Sequence, residues 1–441
     1  MAILAQAFPN QSPEQWADRL LASADNSTSL IGAHTGAVTF GNGVQHGYNT
    51  AAGHGMLDIY AALQPIESSS YVRSSYVQNN SGQTNNVPLD RTTFRASSSF
   101  GNGLQIGLSD VENYFYDALG GGFKYKLSGH VLNEDNKKIE VNIDFTILDK
   151  SKINKHKQKL EFANDIKNIV LDTFEENTNI GYSVGLFEPS NPIQSFVNDK
   201  NDDFLGFDNV DAPYLDTKEN GYTVGYTDYL SSNLKYSIGL EKPMQISDNE
   251  YEGSNTNISY SLENIINEKS TNNFLVGRFI EKDKFLGSDA KGMFYMENLK
   301  TETDYFGFKT ENIIGDSLFF KSSYTMGRSV LNYSYSPLVR NSSDIISESY
   351  EFALSKDFKK LGLKTVLSFV QPNRVTSGKM TINQPSLIRN GVINYTPKEI
   401  SLTPDGRQLN IGFGIQKEFS EDMKFISKFT FIDEYNHDKN S

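Results

Sequence analysis

The chain has 441 residues, with 41 Lys and Arg against 54 Asp and Glu for a net charge of −13, and it contains no cysteine. That length accommodates more than one folded unit with its own core; the acidic balance argues against a nucleic-acid backbone as partner, and the missing thiols exclude a disulfide framework and a thiolate metal site. Mean hydropathy is −0.47 and no run of about 18 apolar residues occurs, so no transmembrane helix is expected, while the short, half-polar strands of a membrane β-barrel stay permitted.

The first stretch, "MAILAQAFPNQ", lacks a basic region and a cleavage-like sequence and does not read as a signal peptide. It reads as the end of a helix closed by Pro9 and Asn10, which makes Met1 an internal methionine of a longer chain. In "SPEQWADRLLASAD", Ser12 takes an N-cap, Pro13 the first helical position and Gln15 the third, a capping box, and Trp16, Leu20 and Leu21 share one helical face. A Gly- and Asn-rich loop or hairpin follows. "NTAAGHGMLDIYAALQPI" then predicts a helix from about Met56 to Leu63, stopped by Pro65.

In this order the pieces resemble the closing part of the peptidase domain of subtilisin-like serine proteases. There a helix ending in an "ALLAQAFP"-like stretch is followed by a "P-E-x-x-x-x-L-L-x-S-A" helix and a "G-x-G-x-L-D-x-x-x-A-L" segment. The matching stretches here are "MAILAQAFPN", "SPEQWADRLLASAD" and "GHGMLDIYAALQP". The resemblance implies that residues 1–65 are the C-terminal end of such a domain. A segment this short buries too little apolar surface to offset its ordering entropy alone.

None of the family's "D-[ST]-G", "H-G-T" or "G-T-S-x-A" stretches occurs in the chain. The nucleophile, base and orienting carboxylate of the mechanism are therefore expected outside it, and the chain itself is expected to be inactive as a peptidase. His54 has no counterpart among the family's catalytic residues and is read as structural, with Gly53 and Gly55 permitting close backbone approach.

Other chemistry does not rise above chance. There is no G-x-S-x-G elbow, H-E-x-x-H, G-x-x-x-x-G-K-[ST] or G-x-G-x-x-G. S-x-x-K occurs at Ser232 with Lys235 and at Ser288 with Lys291, in contexts that read as turns or strand starts rather than the helix that would bring Lys to Ser. "NDKNDDFLGFDNVD" begins like a calcium loop with Asp199, Asn201 and Asp203. It then places Phe204 where Gly is needed and Val210 where a bidentate Glu is needed. The six histidines are not spaced as ligands. No catalytic, cofactor-binding or metal-binding residue is assigned, and no cofactor is expected.

From residue 66 to about 92 the composition turns to Ser, Asn and Gln, a hydrophilic linker. Short β-like runs follow to about 150: "TFRASSSF", "GLQIGLS", "FKYKLSGHVL" and "KIEVNIDFTIL". A helix is allowed within "SKINKHKQKLEFANDIKNIVLDTFEE". From about 179 onward, alternating segments of strand length are separated by polar turns. Ile180, Tyr182, Val184 and Leu186 alternate, as do Tyr222, Val224 and Tyr226, then Ile258, Tyr260 and Leu262, then Leu361, Leu363, Leu367 and Phe369. With Ile411, Phe413 and Ile415, the segment from Met423, and runs near 273, 290 and 316, about 12 strands are expected.

A soluble sandwich also alternates. The abundance of Tyr and Phe, strands near the ~10 residues that cross a bilayer tilted, and unequal loops favour a barrel. A subtilisin-like segment followed by a spacer and a barrel resembles the serine-protease autotransporters of Gram-negative bacteria, and "LIRNGVINYTPKEISLTPDGRQLNIGFGIQKEF" resembles the late strands of their translocators; the ending "FIDEYNHDKNS" departs from the aromatic terminal residue usual there.

The fold expected is thus mainly β: a short α-helical remnant of a subtilisin-like α/β domain (1–65), a polar linker and β-rich junction (66–178), and a roughly 12-stranded antiparallel β-barrel of outer-membrane autotransporter type (179–441). The resemblance implies a surface-exported endopeptidase whose barrel translocates or anchors the passenger. Its implied partners are outer-membrane lipid and the barrel-assembly machinery, with peptide substrates only in the full-length protein, no nucleic acid, and a monomeric state. The alternatives are a secreted or cell-surface β-rich binding or structural protein, and a soluble C-terminal domain of a secreted subtilase.

Overall fold

The computed structural model describes residues 1–9, 11–66, 71–74, 85–88, 92–133, 141–147, 169–174, 181–186, 214, 221–243, 255–267, 269–389, 392–420 and 423–439. It is mainly β, and one large antiparallel sheet dominates it. Its strands are β1 (Val141–Ile147), β2 (Ile169–Phe174), β3 (Gly181–Leu186), β4 (Gly221–Ser231), β5 (Leu234–Pro243), β6 (Thr256–Asn267), β7 (Ser270–Lys282), β8 (Lys300–Ile314), β9 (Leu318–Asn332), β10 (Ile345–Phe358), β11 (Leu363–Ser377), β12 (Leu409–Ser420) and β13 (Met423–Asp433). β2 to β13 pair in chain order, and β1 closes the row by pairing with β13, Val141 opposite Phe429.

Among the described residues, eleven strands of this sheet, β3 to β13, fall within 179–441, where about 12 were expected, and β1 and β2 bring it to thirteen. Every neighbouring pair is antiparallel, so the edge strands β1 and β2 run in the same direction. Both edges come from residues that the sequence assigns to the junction, and Ile169–Phe174 is strand rather than helix. The run near 290 lies in a separate small sheet, the run near 316 is β9, which starts at Leu318, and Leu361 lies in a 3-10 turn rather than a strand. "LIRNGVINYTPKEIS" also leaves the main sheet: Lys379–Arg389 and Val392–Ser401 form a hairpin on a three-stranded sheet with Val339–Ser342.

The two ends of the sheet differ. At one end β4–β5, β8–β9, β10–β11 and β12–β13 are joined by two to four residues. At the other end the connections 283–299, 333–344 and 378–408 carry strands of their own. In 283–299, Lys284–Phe285 and Ser288–Lys291 form a hairpin whose second strand pairs with Thr93–Ala96, and Thr93–Ala96 runs parallel to Val131–Asn133.

Residues 1–66 form helices α1 (Ala2–Ala7), α2 (Pro13–Ala22), α3 (Thr28–Ile31) and α4 (Ile59–Ala62) and the hairpin Gly36–Thr39/Gln45–Tyr48. The capping box at α2 is present in full: the Ser12 hydroxyl accepts from the Gln15 N–H, and the Gln15 side chain accepts from the Ser12 N–H. α4 starts later than the expected Met56 because Asp58 is its N-cap, accepting from the Ala61 N–H at 2.8 Å. The segment does not stand alone. Leu4, Phe8 and Ala62 pack with Trp16, Leu20 and Phe123, and Val44 packs with Ala118 and Leu119.

"GLQIGLS" is the helix α5 (Gly103–Gly107), not a strand. Leu104 and Leu108 are one helical turn apart and both buried, while Ile106 faces out. A pattern of apolar residues at every second position holds an i, i+4 pair as well, which is why period two misread it.

Candidate functional site

The two faces of the large sheet have opposite chemistry, and the apolar one is outside. Tyr226, Ile238, Tyr260, Val276, Phe306 and Met326 are successive register partners across β4 to β9. Phe320, Leu354, Leu367, Phe413 and Phe429 continue the same face on β9 to β13. Tyr260, Phe274, Val276, Phe413 and Phe429 are each 45–54% exposed. As expected, Ile411, Phe413 and Ile415 share this face, and Gly412 and Gly414 lie on the buried one.

Outward aromatic rings touch across the β7–β8 and β8–β9 ladders, Phe274 with Phe308 at 5.1 Å and Phe306 with Tyr324 at 6.0 Å. The apolar band ends toward the long connections in a row of ions. Arg278 donates two hydrogen bonds to Asp304, at 2.6 and 2.9 Å, and Arg328 donates to Asp344 at 2.7 Å. Outward residues of β9 between that row and the short turn run from Met326 to Leu318, about 27 Å along a strand. Tilted at about 40°, that is a height of about 21 Å, near the ~25 Å of a lipid-facing band.

The buried face is small and polar. Ser237, Ser261, Thr325 and Ser349 form one register row with Leu275 and Gly307. Lys321 and Glu351 pair at 3.7 Å with no exposed side-chain surface, Lys309 meets Glu311 at 2.8 Å, and Lys235 meets Glu263 at 3.1 Å. Ions this deep persist only when paired.

Gly239, Ser259, Gly277, Tyr305, Gly327 and Ser347 are successive partners on this face. A Cβ at Gly277 would meet the Tyr305 ring, and one at Gly327 would meet the Tyr214 ring. The glycines leave room for two tyrosines stacked with centroids 5.1 Å apart. The Tyr214 hydroxyl bonds Ser347 Oγ at 2.5 Å and donates to Asn373 Oδ1 at 3.3 Å; Tyr305 donates to Asn257 at 2.8 Å. Nothing in the spacing of Tyr214 and Tyr305 along the chain announces this pair.

The residues singled out by sequence stay apart from such chemistry. His54 packs among Phe40, His46 and Tyr48, with its carbonyl 3.0 Å from His46 Nε2. Ser232 lies in the β4–β5 turn, and Lys235 is occupied by Glu263. Ser288 Oγ accepts from the Ser97 N–H at 3.0 Å, while Lys291 is exposed beside Asp289. Asp199, Asn201, Asp203, Phe204, Val210 and Ile180 lie outside the described residues. Among the described residues no group of three His, Asp or Glu is placed to hold a metal ion, and no helix is long and apolar enough to cross a membrane.

Fold and faces define a mainly β protein built on one large antiparallel sheet with its apolar face outward. No family model and no curated protein matches the chain. Among solved structures it aligns with LpxR from Salmonella typhimurium at 10% identity, covering 48% of this chain and 88% of that one, with a TM-score of 0.19. A superposition that loose carries no argument about fold or function.

Proposed function

We propose that β1 to β13 belong to an outer-membrane β-barrel that anchors the N-terminal residues at its long-connection end. The inverted sheet carries this reading: aromatic and aliphatic side chains predominate on the outward face from β4 to β13, while Ser, Thr, Gly and paired ions are common on the other face. A soluble sandwich buries the opposite set. An outward apolar band across ten strands exceeds by far the few hundred Å2 of contiguous apolar surface that soluble monomers tolerate.

In lipid no strand edge can stay unpaired, so the sheet closes. Direct pairing of β1 with β2 would be parallel. An antiparallel barrel takes an even number of strands, one more than the thirteen described. The test is refolding with and without detergent micelles, read by the migration of unheated and boiled samples.

The resemblance of "MAILAQAFPN", "SPEQWADRLLASAD" and "GHGMLDIYAALQP" to the end of a subtilisin-like domain supports a serine endopeptidase as the anchored cargo. An in-frame "G-T-S-M-A" in the coding DNA immediately upstream of Met1 is the expected finding, and its absence there sinks this part alone.

A further inference from the structure

We infer that residues 92–133 form a plug seated in the mouth of the barrel at its long-connection end, closing the lumen to solutes; this rests on the barrel reading above. One buried apolar cluster contains Phe100, Leu104 and Leu127 of this segment together with Leu275, Ile345 and Val375, which point inward from β7, β10 and β11. Ile345 and Val375 stand at the long-connection ends of β10 and β11, where inward residues of an open barrel would be wet, and Leu275 lies deeper, near the middle of β7. Here they are part of a dry core that begins in the segment and continues between the strands.

The contacts that seat the segment are specific. Phe94 meets Phe285 and Phe294 at 5.4 and 5.7 Å, and Phe100 meets Phe285 at 5.3 Å. α5 lies so close to the 401–402 backbone that a Cβ at Gly103 or Gly107 would strike the Leu402 or Ser401 carbonyl. A polar bridge runs inward from there: Asn373 donates to Ser99 Oγ at 3.1 Å and accepts from Tyr214, which stacks on Tyr305 of the inward row.

The chain path agrees. Residue 133 ends the segment and β1 begins at Val141 opposite Phe429, near the long-connection end where β13 finishes. The segment therefore reaches its seat without crossing the lumen. A barrel of about 14 strands falls between the eight-stranded kind, whose side chains fill the interior, and the 16- to 18-stranded kind that leaves an aqueous channel, so what occupies the mouth decides between a diffusion pore and a sealed anchor, and the plug makes this chain the second.

The test uses the full chain in planar bilayers after insertion has been verified by heat-modifiable migration. The unsubstituted protein should give no steady conductance, and Phe100→Asp, which puts a charge into the apolar seat, should give frequent openings. Ser97 and Ser288 hold their Oγ atoms 3.4 Å apart in a chain free of cysteine. The double variant Ser97→Cys/Ser288→Cys should therefore cross-link under mild oxidation, and adding this bond to Phe100→Asp should abolish its openings. If Phe100→Asp does not fold, the unsubstituted conductance and the cross-link decide. Steady open conductance of the unsubstituted chain, or thiols that stay unjoined in folded protein, would overturn the plug. A chain that never inserts sinks the barrel reading instead, and the cross-link still tests the seat.

Discussion

Phe413 on β12 and Phe429 on β13 stand directly opposite each other across the ladder, both on the outward face and both about half exposed, while Gly412 and Gly414 beside Phe413 are buried. In water two such rings would be a cost without return. Against acyl chains they are at home.

If the sheet is the proposed barrel in lipid, Phe413→Arg places a cation in the band and should lower its stability by about 2–4 kcal/mol, whereas Phe413→Leu should stay within about 1.5 kcal/mol. Urea unfolding in lipid vesicles reads both. Equal, small losses for the two variants would place Phe413 in contact with water rather than lipid.

Arg19 and Asp117 form an ion pair with no exposed side-chain surface. Arg19 also donates to the carbonyls of Ala62 and Gln64, and Asp117 accepts from the backbone N–H groups of Ile66, Leu119 and Gly121. Arg19→Met strands a buried carboxylate and should cost the N-terminal unit about 3–5 kcal/mol, with much of it recovered in Arg19→Met/Asp117→Asn. Trp16 is the sole tryptophan, and its Nε1 donates to the Phe8 carbonyl at 3.0 Å. Its fluorescence therefore reports this unit alone, and an unchanged midpoint in Arg19→Met would contradict the packing of residues 1–66 on 117–123.

His437, just beyond β13, is buried; its Nδ1 accepts from the Gln408 N–H at 2.8 Å and its Nε2 lies 3.1 Å from the Asn373 carbonyl, to which it donates. Burial, with Arg374 and Arg407 nearby, pushes its pKa from 6.5 down to about 4. The unfolded chain takes the proton first as pH falls, so the stabilising share is full above about pH 6.5 and disappears as pH drops toward 4, a loss of about 3 kcal/mol. Comparing unfolding of the parent chain and His437→Gln from pH 7 to 4 isolates this share. Parallel pH profiles for the two would contradict it.

Period-two alternation makes the long strands legible, because one face of each is predominantly apolar over several consecutive alternate positions, as in Tyr222, Val224 and Tyr226. It could not tell which face is outside. That depends on what fills the other one: Ser, Gly and the Lys321–Glu351 pair are read as buried only once their register partners are known. The seat of residues 92–133 was equally hidden, since Phe94 meets Phe285 across a separation that no local pattern reports. β1 lies in "KIEVNIDFTIL", which reads as a β-like run, and β2 in a stretch where a helix is allowed; in neither does the local pattern report pairing with the large sheet. At α2 the chain carried its own punctuation in Ser12, Pro13 and Gln15, and there sequence and structure agree residue for residue.

Refolding the chain with and without detergent micelles decides whether the apolar face of the large sheet meets lipid. A compact, fast-migrating unheated band should appear only with detergent and be lost on boiling. A monodisperse, folded monomer in plain buffer would contradict lipid contact.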